Sequence, residues 1–325
     1  MIGGVKGGNG ADCQGSFPSA PSIPCVPLCL FYAHRLHLSE HYNSLLRAIH
    51  RTNMVRGTRR ISSSRQTKLP RRQEAIFRDA LCALNTAHVP YVVTGAFALA
   101  LHTGIWHPTK DLDIALTHSS TAGALATLRQ AGFQTEVLDP VWLGKAYRED
   151  FFVDLIFGMS NGVLVVRDSW IERSYPGQVA DVDTRILAPE ELLVSKLFVA
   201  RRDRYDGADV VHLLYKLGEQ LDWLYVLDLL GEHWQLLLLA LTLFAYVYPA
   251  NTDIIPRAVW TNLTGRLQQT VLEPKPPRVF RGTLIDPDLF KIDVSEWGFE
   301  DQLEMFRFSR GGENPRSPVP SGTEP

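Results

Sequence analysis

The sequence is poor in cysteine, in long apolar runs and in net charge. Its four cysteines are Cys13, Cys25, Cys29 and Cys82. Three lie near the start and one far from them, so no folded unit holds a paired set. A disulfide framework is not expected, and a reducing, cytoplasmic compartment fits. Cys25, Cys29, His34 and His37 sit too close together for a zinc finger, whose two pairs stand ~12 residues apart. The longest apolar run is Leu236 to Tyr248, thirteen residues broken only by Thr242. A membrane span needs ~20, so the run reads as a buried core helix and no membrane partner is expected. There is no internal repeat.

The 325 residues are 45% hydrophobic and 21% charged, as in ordinary globular proteins. That length suggests about two domains. The formal net charge of -2 is unevenly spread. Residues 1–72 hold eleven Lys/Arg and two Asp/Glu, and the remainder holds 22 and 33. A basic head at +9 thus precedes an acidic body at -11. The head is rich in Gly, Ser, Pro and Arg and lacks the charged-then-apolar order of a secretory signal. Residues 1–73 are therefore expected to be a disordered basic extension, with Met54 as an alternative start. If retained, it would attract nucleic acid nonspecifically.

Periodicity organises the body. Ile76, Phe77, Ala80, Leu81 and Leu84 recur at helical spacing, which predicts an amphipathic helix at 74–87. Tyr91 to Val93 predicts a strand, and Ala96 to His102 a helix. Asp111 to Leu116 alternates as a strand does. Ser119 or Ser120 is a candidate cap for a helix ending at Ala131 and Gly132. Phe133 to Leu138 and Phe151 to Phe157 read as further strands. From Pro189-Glu190-Glu191 onward the pattern is helical, at about 206–217, 221–230, 233–248 and 256–270. The expected fold class is α/β (α+β): a small mixed-sheet domain at 74–187, then a helical domain at 188–272. Residues 273–325 are expected to be a linker, a packed-back segment anchored by Phe280, Leu284, Phe290, Trp297 and Phe306, and a disordered tail.

The chemistry-bearing signal is Asp111-Leu112-Asp113. In a strand, i and i+2 share a face. Two carboxylates among residues that should be buried need a cation, and hard divalent ions take oxygen ligands and share them with phosphates. Upstream, Val92-Val93-Thr94-Gly95 is a strand entering a Gly turn and a helix, a natural phosphate cradle. Downstream, Asp154 lies among apolar strand residues and either caps something structural or is a third metal ligand. Lys196 has apolar helix neighbours almost all round, so it must meet an anion. That anion is either a phosphate or Asp206 and Asp209.

In order and spacing, residues 91–209 resemble the nucleotidyltransferase superfamily (the polymerase-beta-like fold), particularly its small bacterial and toxin-like members. Val93 to Leu99 resembles the family's small-residue turn and helix. Thr109-Lys110-Asp111-Leu112-Asp113-Ile114 resembles its D-x-D strand, and Phe152-Val153-Asp154-Leu155 its third-acid strand. Glu190 to Leu197, with Arg201, Asp206 and Asp209, resembles a helical motif of these relatives. Two positions depart: Thr94-Gly95 stands where the family has paired small residues, and His107 where many relatives have Arg. The resemblance implies transfer of a nucleoside monophosphate from an NTP to an acceptor hydroxyl, with pyrophosphate released. Asp111, Asp113 and Asp154 would be catalytic and would hold two Mg²⁺ ions, with Mn²⁺ a substitute. Thr94, Gly95 and Lys196 would bind the nucleotide. The acceptor is a small molecule, a protein side chain or an RNA end. The alternative is an inactive nucleotide-binding or regulatory module of the same fold.

Other residues have plainer readings. Asp181-Val182-Asp183 is expected at a hairpin turn. His102 and His107 are expected to be packing or solvated residues, with contact to a base or phosphate as the alternative. Arg201, Arg202 and Arg204 read as a solvated face, although they lie close in sequence to the proposed anion site. Trp223, Trp234 and Trp260 are expected in the core.

Overall fold

The structure is a computed structural model, and it describes residues 69–272 and 280–311. Expectations for Cys13, Cys25, Cys29, His34, His37 and Met54, for most of the basic extension, for the 273–277 linker and for the tail lie outside the described residues. All the described residues fall in one compact unit, Ser44–Pro325.

Helix α1 (Arg71–Thr86) buries Ile76, Phe77, Ala80, Leu81 and Leu84, the stripe its periodicity requires. It begins inside the segment expected to be extension. The sheet elements follow: β1 (Val92–Val93), α2 (Gly95–Thr103), β2 (Asp111–Ala115), α3 (His118–Gln130), β3 (Gln134–Asp139), β4 (Leu143–Arg148), β5 (Phe151–Ile156), α4 (Asp168–Arg173), β6 (Tyr175–Val179) and β7 (Val182–Ile186). The strands form a mixed sheet in the order β3-β4-β5-β2-β1-β7-β6. β2 pairs parallel with β5, β1 pairs parallel with β7, and the other neighbours are antiparallel. The cap of α3 falls on Thr117 rather than on Ser119 or Ser120. Its hydroxyl instead meets both serine hydroxyls at 3.0 Å. Between β6 and β7, Ala180 and Asp181 both have positive φ (50° and 61°), the backbone of a tight hairpin turn.

The helical half comprises α5 (Pro189–Leu197), α6 (Gly207–Leu217), α7 (Trp223–Leu230), α8 (Trp234–Val247) and α9 (Arg257–Leu272). The stretch Trp223–Val247 is long and apolar enough to cross a membrane by length and composition. A 3-10 turn at Gly231–His233, with Gly231 at φ 50°, divides it into α7 and α8. α8 buries Leu237, Ala240, Leu241 and Phe244. The expectation of a buried run holds for that face only, since Leu239 is 61% exposed and Tyr246 84%. Trp223 and Trp234 are core residues, and Trp260 packs against the core.

The last described segment, with α10 (Lys291–Ser295) and α11 (Gln302–Phe308), is tied to the body by side-chain contacts. Asn161 donates to the Leu284 carbonyl at 3.0 Å, and Arg307 pairs with Asp139 at 2.8 Å. Buried Asp286 accepts the Arg202 N–H at 2.9 Å, so the segment also pins the α5–α6 connection. Trp297, expected as an anchor, is 65% exposed.

A buried polar group joins α4, α5 and α7. Glu191 is fully buried, takes the Tyr225 hydroxyl at 2.9 Å, and has the Arg173 guanidinium 3.4 Å away. Burial pushes its carboxyl from 4.5 up to about 7. A folded pKa above the unfolded one means the contribution is complete below about pH 4.5 and is lost as pH rises through 7. Asp113, raised to a similar value, acts in the same window. Removing the charge at Glu191 should therefore flatten part of the decline in stability. Melting Glu191→Gln beside the parent from pH 4 to 8 checks this, and identical slopes would rule it out.

Candidate functional site

The candidate site stands at the middle of the sheet. Asp111 and Asp113 alternate along β2 and so share a face. β5 lies parallel to β2 and sets Asp154 directly opposite Asp113. One ligand oxygen from each of the three acids lies within 4.8 Å of the others. Among the described residues they are the one His/Cys/Asp/Glu group at such spacing.

Like charges this close disfavour one another's ionisation, and burial adds to the effect. Asp113 retains some exposure, but its carboxylate is densely surrounded. Burial first, then the charges of Asp111 and Asp154, push it up to about 7, against the pull of Arg204 and Lys196. Asp154 is also raised, chiefly by burial, against an opposing Lys145. Lys145 faces Asp154 across the β4–β5 pair, with Nζ 3.0 Å from Oδ1. The two meet in distance but not in hydrogen-bond direction. Asp111 accepts a bond from the Thr109 hydroxyl.

The Gly turn and the acidic strand are one unit. The Thr94 N–H donates to the Asp113 carbonyl at 2.9 Å. Gly95 has φ +57°, and a Cβ there would stand 1.8 Å from Asp113 Oδ2. Glycine is thus required twice, by the left-handed backbone and by the carboxylate against it.

On the helical side, Lys196 Nζ donates to Asp206 Oδ2 and Asp209 Oδ2, both at 2.8 Å. Of its two proposed anions, the carboxylates are therefore in place. Arg204 approaches Asp206 at 3.3 Å. Burial pushes Asp206 up, but Lys196 and Arg204 outweigh it and hold its carboxyl below the ordinary value. His107 Nε2 lies 3.7 Å from Asp209 Oδ1. His102 is placed structurally, its Nε2 2.7 Å from the Leu187 carbonyl. Asp181 pairs with Arg78 at 2.9 Å and joins no acidic group of the site.

Sequence reasoning missed Lys145. The β4 run Leu143-Gly-Lys-Ala-Tyr-Arg alternates too weakly to announce a strand. The available signal was electrostatic: a third buried acid next to two others needs a nearby cation. Arg204, expected on a solvated face close in sequence to the proposed anion site, has a side chain 69% exposed. Its charge reaches Asp113 and Asp111.

No family model matches the sequence, and no curated protein matches it. Several solved structures do align with it. The lincosamide antibiotic adenylyltransferase LnuA, with lincomycin bound, is 16% identical over 45% of this chain and 98% of its own, at a TM-score of 0.32. ANT(2'')-Ia, solved with adenylyl-2''-tobramycin, is 14% identical over 60% of this chain and 99% of its own, at 0.33. An antigenic nucleotidyltransferase-like protein from Paracoccidioides brasiliensis is 15% identical over 51% and 91%, at 0.31. Likenesses at such scores carry no weight for activity.

The contact between Gly95 and Asp113 has a measurable signature. Gly95→Ala should destabilise the parent by about 3 kcal/mol, combining backbone strain with a forced shift of the carboxylate. In an Asp113→Ala background the carboxylate contacts are gone while the backbone strain and a 2.9 Å approach to the residue-113 Cβ remain, so the cost should fall by about 1 kcal/mol. Denaturant unfolding of the four proteins measures the difference, and equal costs in both backgrounds would show that the two residues are not coupled.

Proposed function

We propose that the chain is a cytoplasmic, divalent-metal-dependent nucleotidyltransferase. In this reading it moves a nucleoside monophosphate from an NTP to an acceptor hydroxyl and releases pyrophosphate. Residues 74–187 act as the nucleotidyltransferase domain and supply the three acids, while the helical domain at 188–272 supplies Lys196. The observation that carries the reading is the convergence of Asp111, Asp113 and Asp154 within 4.8 Å, beside a Gly turn pressed against Asp113. Three hard oxygen donors at that spacing fit Mg²⁺ or Mn²⁺. Asp111 and Asp113 would hold two such ions together with the triphosphate, and Asp154 would complete the site. Ions held by these acids would supply positive charge against the phosphates and would ease ionisation of the acceptor hydroxyl.

The protein's own groups do the rest. Backbone N–H groups at the start of α2 and the Thr94 side chain take phosphate oxygens. Lys196 has three donors and spends two on Asp206 and Asp209. Its third is left for the departing pyrophosphate. Asp154 accepts the acceptor's proton. The hydroxyl oxygen then bonds to the α-phosphorus as the α–β bridging bond breaks. Catalysis of this kind is positioning and electrostatics.

The test uses each labelled NTP with a cell extract and Mg²⁺. Parent protein should transfer label to an acceptor. Asp113→Ala should lose at least about a thousandfold in rate, the scale on which electrostatic transition-state groups act. Equal labelling by the two proteins would overturn the reading.

A further inference from the structure

Four side chains stand in one row across four strands. Asp113 on β2 is opposite Asp154 on β5, Asp154 is opposite Lys145 on β4, and Lys145 is opposite Glu136 on β3. Directly paired residues share a face of the sheet, so the row is a line of charge leading from the cluster to the sheet edge. Lys145 could turn toward either acid beside it. The Glu136 carboxylate takes the Tyr147 hydroxyl at 2.6 Å, and Lys145 turns inward to Asp154 at 3.0 Å. Its ammonium also lies 3.8 Å from the centroid of the Phe152 ring. Phe152 is two residues before Asp154 and so on the same face. The Lys145 and Asp154 side chains are each only 15% exposed, so water screens the pair weakly.

We propose that Lys145 is the resident counter-cation of the carboxylate cluster and competes with the divalent ion for Asp154. The proposal rests on the metal-site reading above. Without a metal, three carboxylates facing one another are tolerable because one of them already has a cation. A divalent ion arriving at Asp154 must displace that ammonium or endure its repulsion. Lys145 therefore weakens binding of the free ion and makes full loading depend on the triphosphate, which brings negative charge of its own. It acts through Asp154 and is a positioning residue rather than a catalytic one.

Mn²⁺ titration of the full-length protein without nucleotide, read by the electron-spin signal of free Mn²⁺, tests this. Lys145→Met should bind Mn²⁺ about tenfold more tightly than the parent, as expected for removing one adjacent positive charge of weakly screened effect. Lys145→Arg should stay near the parent. In an Asp154→Asn background, Lys145→Met should gain clearly less than about tenfold, because the competition has lost its object and only direct repulsion of the ion is left. That pair also keeps the test decisive if the single variant proves unstable. Equal Mn²⁺ affinity in the parent and Lys145→Met would overturn the proposal while leaving the metal site standing. Absence of Mn²⁺ binding in both, with or without ATP, would overturn the metal-site reading and this proposal with it.

Discussion

Mutual repulsion among Asp111, Asp113 and Asp154 is the constraint around which the centre of this protein is organised. Two neighbouring parallel strands hold the three carboxylates at fixed spacing, so the chain cannot relieve the repulsion by moving one aside. The cost is visible at Asp113, whose carboxyl is pushed up to about 7 by burial first and then by the charges of Asp111 and Asp154. Relief has to come from positive charge. Lys145 meets Asp154 from the sheet, and Lys196 and Arg204 act on Asp113 from the helical side.

This explains why the helical half matters to a site made of strands. Lys196 is nearly buried, and Asp206 and Asp209 fix its ammonium. The connection between α5 and α6 is held in turn. Its Ala200 and Tyr205 form an isolated β-bridge, and Asp286 grips the Arg202 N–H from the last described segment. The carboxyl of Asp286 is held below its ordinary value, first by the N–H groups of Leu289 and Arg202. A chain of charge and hydrogen bonding thus runs from the C-terminal segment, through the connection, to the acids on β2.

Much of this was legible where residue pattern and physical role coincide. The stripe on α1, the strand alternation at Asp111 to Ala115 and the acidic, proline-led start of α5 each show their function in local sequence. Asp154 was legible because an acid flanked by apolar strand residues is costly and must have a reason. What stayed hidden depends on pairing. Register sets Lys145 beside Asp154, and nothing within β4 marks that register. The helix α4 was hidden for a similar reason: it is six residues long and carries little periodicity. Yet it delivers Arg173 to Glu190 and Glu191. The apolar run of α8 shows the opposite error, since composition gives the hydrophobic face but not which side of the helix finds a partner.

The same contrast bears on the two readings of Lys196. Local sequence required an anion for a lysine among apolar neighbours, without deciding between phosphate and carboxylate. The structure supplies carboxylates, and that does not dismiss the other reading. An ammonium has three donors, and two carboxylates on it still leave one. Asp206 and Asp209 fix where that remaining donor stands before any nucleotide arrives. On the proposed nucleotide-binding reading, a phosphate would meet a lysine whose side-chain freedom has already been lost, so less entropy would oppose binding. The structural and the functional roles are thereby one arrangement: the acids that neutralise Lys196 within the fold are also what would preorganise it for a ligand.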